Sequence, residues 1–268
     1  MSREVRMQML RPAQIIAERE RVPLAFLPLG PLEWHGPHLP LGVDPLNAEV
    51  AALRVAQEVG GVVLPTLYVG TERERNPDML EAIGFARGDY LVGMDFPANA
   101  MPSFYYPEEV LAVVVRATLD LLVRQGYKLA VLMNGHAAEN HLITLQRLAV
   151  EFTNESPMRV VLLVPIPGYT QGNDWSYAHA TAGETSVVMA VAPETVDVTT
   201  LPADGPLRNV DHAIVDDQTF RGHPTPDHTV RPEDDPRHAT AEAGERRLDE
   251  CVAELSAAVR EALGALGR

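Results

Sequence analysis

Leu27-Pro28-Leu29-Gly30-Pro31-Leu32-Glu33-Trp34-His35-Gly36-Pro37-His38-Leu39-Pro40-Leu41-Gly42-Val43-Asp44 is the stretch from which the rest of the chain is read. It puts two histidines and two carboxylates into twelve residues. Glycine and proline around them favour turns over regular helix. The residues just before, 22–29, are apolar without a helical period and predict a buried strand. The acids and imidazoles therefore fall on a loop leaving the carboxyl end of a strand, which is where open α/β sheets bind ligands. Glu33, His35 and Asp44 offer carboxylate oxygen and imidazole nitrogen and no thiolate. Such a set suits zinc, manganese or iron, and holds two ions if one carboxylate bridges. A polar surface loop is the competing reading, and this stretch alone does not decide between them.

Outward from the loop, strand and helix alternate. Upstream, Arg11-Pro12 opens a short helix over residues 11–21. Downstream, residues 47–59 read as a helix closed by Gly60-Gly61, and the β-branched run 62–69 as a second strand. Residues 70–103 lack a period, carry Glu72-Arg73-Glu74-Arg75 and are broken by Gly88, Pro97 and Pro102, as expected of a functional loop or lid. Pro107 opens a long helix to Gln125, closed by Gly126. A strand over 128–133 ends at Asn134-Gly135-His136, a helix runs on to about Phe152, and 159–165 is a further strand. Residues 167–183 are loop-like, 186–192 are apolar again, 199–236 form a long surface segment, and 239–266 a closing helix. This order predicts βαβ units and a mostly parallel sheet, hence the α/β class, here as a single domain over residues 1–268.

Composition narrows the function. The 268 residues carry a net charge of −15, so the basic footprint of a nucleic-acid binder is absent. No apolar run reaches the roughly 18 residues that span a bilayer, and no secretory apolar region follows the start, so a cytoplasmic protein is expected. Cys251, alone in the chain, has no internal disulfide partner and fits a small core or interface position.

Two more clusters fall where strands hand over to loops. His136 sits at a strand-to-helix turn, and Glu139, three residues on, lies on nearly the same face if the helix has already begun. The simpler reading of this turn is a cap by Asn134 beside a bystander histidine. The third cluster is Trp175-Ser176-Tyr177-Ala178-His179-Ala180-Thr181-Ala182-Gly183-Glu184-Thr185-Ser186, a histidine and a glutamate ahead of another apolar strand or helix. A parallel sheet brings such ends together, so the three clusters support one another.

In these residues the chain resembles the creatininase family of creatinine amidohydrolase-like proteins. The likeness rests on Gly30-Pro31-Leu32-Glu33-Trp34-His35-Gly36-Pro37-His38-Leu39-Pro40-Leu41-Gly42-Val43-Asp44, on Asn134-Gly135-His136, on His179 with Glu184-Thr185-Ser186, and on Asp235-Pro236-Arg237-His238-Ala239-Thr240-Ala241-Glu242. It implies a three-layer αβα sandwich with a mostly parallel central sheet, two divalent metal ions (zinc or manganese, with iron admissible), and a homo-oligomer, often a hexamer. By position it implies Glu33, His35, Asp44 and His136 as metal ligands with Asp44 bridging, His179 as the proton-transfer group, and Trp175 as a stacking aromatic. The implied activity is metal-dependent hydrolysis of a small cyclic substrate, a cyclic amide or related C–N bond, with two cations lowering the pKa of a shared water toward neutrality.

Departures from the family pattern leave parts open. Creatinine-hydrolysing members place a ligand glutamate two residues after the turn histidine, where this chain has Ala138. Glu139 and Glu184 compete for that fifth place and for a catalytic role. Residues 70–103 lack the family's usual Phe-Pro-Gly-Thr segment. Tyr177, Arg73 and Ala137 join Trp175 as candidates for substrate contact; for Arg73 a solvated charge run is the competing reading. His38 is expected to orient a ligand. Ring opening of a carbocyclic ketone such as an inosose is the rival reaction. A nucleotide-binding or sensor module, or an inert metal-binding member, is the rival class, and the missing Gly-x-Gly-x-x-Gly after the first strand counts against nucleotide binding.

Overall fold

The computed structural model describes residues 3–97, 99–166, 179–205, 207–210, 213–215 and 230–267. Its axis is β1 (Leu24–Leu29), six residues buried on both faces, as a central strand of a parallel sheet requires. On one side β1 pairs with β2 (Val62–Val63), on the other with β3 (Leu129–Asn134), and β3 pairs with β4 (Arg159–Leu163); every pairing is parallel. The β1–β3 register runs from Leu24 opposite Leu129 to Leu29 opposite Asn134, so both strands end level.

The α-helices among the described residues are α1 (Pro12–Arg21), α2 (Val43–Val59), α3 (Pro77–Ala82), α4 (Glu108–Gln125), α5 (Glu139–Glu155), α6 (Ala182–Val191) and α7 (Ala241–Gly264), and helices lie on both faces of the sheet. Side chains alternate across a strand. Leu24 and Phe26 of β1, with Leu129, Val131 and Met133 of β3, pack against α2 and α7. Ala25, Leu27 and Leu29, with Ala130 and Leu132, pack against α4 and α5. The result is the expected αβα sandwich. Leu111, Val115, Leu119 and Leu122 form the buried stripe of α4, each burial worth about 1.5–3 kcal/mol. A small antiparallel pair joins β5 (Arg208–Val210) to β6 (Ala213–Val215). Among the described residues, no helix is long and apolar enough to cross a membrane.

The strand order β2-β1-β3-β4 creates the crevice that matters. After β1 the chain turns to α2 on one face; after β3 it turns to α5 on the other. The loops diverge, and the gap between the ends of two adjacent strands is the switch point where such sheets bind ligands.

Three local expectations need correction, and one open alternative is decided. The second strand stops at Val63 instead of running to residue 69, because Pro65 has no N–H for the ladder. The chain then returns to β1 only at a bridge between Leu29 and Leu67. The helix expected from residue 47 starts at Val43 and so carries Asp44 in its first turn; Pro45 reads as a breaker, yet the first turn of a helix needs no N–H from it. The apolar run 186–192, open between strand and helix, is helical in α6 up to Val191. Residues 70–103 are not structureless: Asn76 caps α3 by accepting from the N–H groups of Asp78 and Met79, and Leu80, Ile83, Phe85, Leu91 and Phe96 form a separate small core.

Candidate metal centre

The loop after β1 is closed by a hydrogen bond from the Glu33 N–H to the Leu41 carbonyl, 2.9 Å, which carries Glu33 and His35 over the strand end. Nδ1 of His35 lies 3.1 Å from the Glu33 carbonyl. A carbonyl only accepts, so Nδ1 holds the ring proton and Nε2 is left as a free donor atom. That Nε2 is 3.2 Å from Asp44 Oδ1, 3.8 Å from Glu33 Oε2 and 3.8 Å from Glu184 Oε2. From the end of β3, His136 brings Nδ1 to 2.9 Å from Asp44 Oδ2 and 3.5 Å from Glu33 Oε2. From the third cluster, His179 presents Nδ1 to Glu33 Oε2 at 3.6 Å while Nε2–H donates to the Trp34 carbonyl at 2.9 Å. Glu184, in the first turn of α6, accepts from the Ala180 N–H at 2.6 Å. Ala180 holds φ +57°, a costly conformation for a residue other than glycine that brings the chain back onto this carboxylate.

Three sets of donor atoms converge, each within 4.8 Å: Glu33, Asp44 and His136; His35, Asp44 and Glu184; Glu33, His35 and His179. The first two share Asp44 and use its two oxygens on opposite sides. Asp44 Oδ2, His35 Nε2 and His136 Nε2 are buried without a hydrogen-bond partner. The approaches of Asp44 Oδ1 to His35 Nε2 and of Asp44 Oδ2 to His136 Nδ1 thus lack hydrogen-bond geometry. An unpaired buried polar atom costs about 1–3 kcal/mol, and cations between these groups would satisfy several at once. The oxygen and nitrogen donors fit divalent zinc or manganese.

The electrostatics point the same way. Burial opposes a charge on His35, but the carboxylates of Asp44 and Glu184 outweigh it and lift its pKa to about 10. Burial likewise opposes charge on His136, and Glu33 and Asp44 push it well above the usual imidazole value. Glu184 is pushed up to about 7 by burial, with Asp44 adding to it. Burial, and then His35, hold His179 down at about 4, so its ring is neutral. The three carboxylates draw positive charge, and with no cation present they draw protons.

A further ring of contacts fixes the centre. Asn134, the last residue of β3, holds the backbone of His136 from both sides: its Oδ1 accepts the His136 N–H at 3.1 Å and its Nδ2 donates to the His136 carbonyl at 2.5 Å. His141 in turn donates from Nε2 to Asn134 Oδ1 at 2.9 Å and accepts the Thr71 N–H at Nδ1, 3.3 Å. Gly135 is required here, because a Cβ would stand 1.9 Å from the Asp44 carbonyl oxygen. His38 lies outside the converging sets and binds Thr185 Oγ1 at 3.2 Å.

Above the centre opens a cavity of about 630 Å³, whose wall includes Glu72, Arg73, Ala137 and Glu139. Glu139 belongs to none of the converging sets among the described residues. Its side chain is 81% exposed and 3.8 Å from Arg73. The expected shared face of His136 and Glu139 is absent because α5 begins at Glu139 and His136 precedes the helix. Glu184 is the glutamate that meets the cluster. Trp175 and Tyr177 lie outside the described residues. Sequence reasoning did not single out Tyr105, His141 or Glu72. Tyr105 donates to Glu33 Oε1 at 2.5 Å, and burial raises the Glu72 carboxyl in the cavity wall. No motif marks Tyr105 or His141; for Glu72, the only signal was its place in a charged run.

A three-layer α/β sheet with a carboxylate–imidazole centre at its switch point defines a metalloprotein of the layered αβα class. The family model for creatininase, described as creatinine amidohydrolase, matches residues 8–259. The chain belongs to the creatininase family. It is similar to creatinine amidohydrolase of Pseudomonas putida, 27% identical over 255 residues that cover 88% of each chain. Among solved structures, it resembles a variant creatininase of the Zn-Zn type, with TM-score 0.68 and 25% identity over 98% of this chain and 99% of that one. It also resembles a manganese creatininase, with TM-score 0.67 and 23% identity over 97% and 99%.

Proposed function

We propose that this protein is a metal-dependent hydrolase that binds two divalent cations and opens a small cyclic substrate at a cyclic amide or related C–N bond. The observation that carries the reading is the meeting of two donor sets at Asp44 on the floor of the cavity. Glu33, Asp44 and His136 would hold one cation; His35, Asp44 and Glu184 would hold the other. Bound there, divalent cations polarise a carbonyl oxygen and bring the pKa of water toward neutrality. The relatives named creatinine amidohydrolase support hydrolysis as the reaction type.

The chain's own residues supply the rest. His179 is anchored through Nε2 on the Trp34 carbonyl, and its neutral Nδ1 faces the cluster. It takes a proton from the attacking water and gives it to the leaving nitrogen. A cavity of about 630 Å³ admits a small ring with room to spare. Arg73 at the wall offers a planar donor to an anionic or hydroxyl-bearing substituent. We extend the proposal to a homo-oligomer, a hexamer by family resemblance, which sedimentation of the purified protein checks.

The experiment is turnover against a panel of lactams, cyclic ureas and carbocyclic ketones, with Glu33→Gln and Asp44→Asn beside the parent. Ring opening of a C–N substrate, lost in both variants, supports the reading. Turnover of ketones alone replaces it with the carbon-ring reaction. A folded, metal-loaded protein that turns over nothing leaves a binding role.

A further inference from the structure

The two oxygens of Glu33 are held differently. Oε2 faces His136 Nδ1 at 3.5 Å, His179 Nδ1 at 3.6 Å and His35 Nε2 at 3.8 Å. Oε1 is taken by the hydroxyl of Tyr105 at 2.5 Å, from a segment 72 residues further along the chain. The phenol has one proton to give, and its oxygen already accepts the Met94 N–H at 3.2 Å, so the proton is left for Glu33. Gly93 makes room for it: at φ +51°, a Cβ there would stand 2.7 Å from the Tyr105 hydroxyl. The backbones are laced together on either side. The Phe104 N–H donates to the Leu32 carbonyl at 2.7 Å, and the Trp34 N–H donates to Ser103 Oγ at 3.0 Å. Residues 103–105 thus grip residues 32–34 one for one.

We propose that Tyr105 is a positioning residue for the metal centre: it withholds Oε1 of Glu33 and turns Oε2 alone toward the cation. The inference rests on the reading of Glu33 as a metal ligand. A carboxylate with both oxygens free swings between one- and two-oxygen ligation and gives no single geometry. A short hydrogen bond to an ionised carboxylate is among the stronger neutral-donor contacts a protein makes. Partners of this kind carry about 10–100-fold in metal affinity. The same contact ties the wall of the cavity, to which Gly93 and Met94 contribute, to the ligand at its floor.

The test uses full-length protein stripped with a chelator and titrated with Zn²⁺ against a chromophoric competitor, in wild type, Tyr105→Phe and Phe104→Ala. Phe104→Ala trims a half-exposed neighbour but keeps the backbone contacts and the Glu33 contact. Wild type is expected to take two equivalents. Tyr105→Phe is expected to take one of them about 10–100-fold more weakly and the other unchanged. Its metal-free melting temperature should fall by no more than the loss of one buried hydrogen bond entails, and its visible spectrum with Co²⁺ should be altered at full loading. Phe104→Ala should bind as wild type does. Tyr105→Phe that binds both equivalents like wild type overturns the inference alone. So does equal weakening of both equivalents with an unaltered Co²⁺ spectrum, which would make Tyr105 a packing residue. Wild type that takes up no metal overturns the ligand reading and this inference with it.

Discussion

Gly135→Ala gives the sharpest perturbation of the centre without removing any side chain from it. A Cβ at residue 135 would stand 1.9 Å from the Asp44 carbonyl oxygen, 2.6 Å from its carbon and 3.0 Å from its Cα. Ordinary contact begins at 3.4 Å, so the end of β3 and the first turn of α2 must part by about 1.5 Å. Neither side is a flexible side-chain tip; both are backbone. Overpacking of this kind costs about 1–3 kcal/mol, which for a chain of this size lowers Tm by roughly 2–12 °C. The functional effect should be larger than the effect on stability. Asp44 and His136 move apart, and a misplacement of about 1 Å at a reacting centre costs on the order of 100-fold in rate. The assay pairs thermal melting with metal content and kcat/KM on the substrate the panel reveals. Gly88→Ala is the control, since nothing lies within 4 Å of its Cβ position. If Gly135→Ala retains both metals and wild-type kcat/KM, the close approach of β3 to α2 does not set the geometry of the site.

Three further outcomes follow from the same contacts. Glu184→Ala should lose one of two metal equivalents, whereas Glu139→Ala, removing a side chain that faces solvent beside Arg73, should lose none; metal analysis of both variants decides. Chelation should lower Tm, because cations that bind only the folded centre stabilise it by mass action; at a free metal concentration about 1,000-fold above Kd the lost stabilisation is about 4 kcal/mol, read by calorimetry with and without chelator. At the far end of the sheet, burial alone would raise the pKa of Glu18, but hydrogen bonds from Arg21, Arg3 and the Gly61 N–H outweigh it and hold it below 4.5. Its folded value lies under its unfolded value, so the stabilisation is complete above 4.5 and is lost as pH falls through the folded value. Glu18→Gln should flatten that acid limb of stability against pH, as urea unfolding at a series of pH values would measure.

The parts of the fold that a sequence displays are those decided by local chemistry. Apolar runs at 24–29 and 129–133, with polar ends bearing acids and imidazoles, announce buried parallel strands leading into a site, and both strands formed as read. Glu33, His35 and Asp44 lie close along the chain, and a level β1–β3 register brings His136 to them. Proline misled in both directions: Pro45 hid the start of a helix, and Pro65 cut short a strand. Glu139 shows the limit of spacing arguments, since a three-residue interval means a shared face only inside a helix. Tyr105 was illegible because its partner is remote in sequence and the pairing depends on how residues 93–105 fold back over residues 32–34. His141 was illegible because it acts through Asn134, which on its own reads as a cap.

In the proposed centre Asp44 is shared between two cations. Anomalous X-ray scattering from crystals of the purified protein, recorded at the zinc and manganese edges, tests it most directly. Two peaks should flank Asp44, one with Glu33 and His136 and the other with His35 and Glu184, each about 2.0–2.2 Å from its ligand atoms. A crystal with no peak beside Asp44, or with a single peak held by Glu33, His35 and His179, would contradict it.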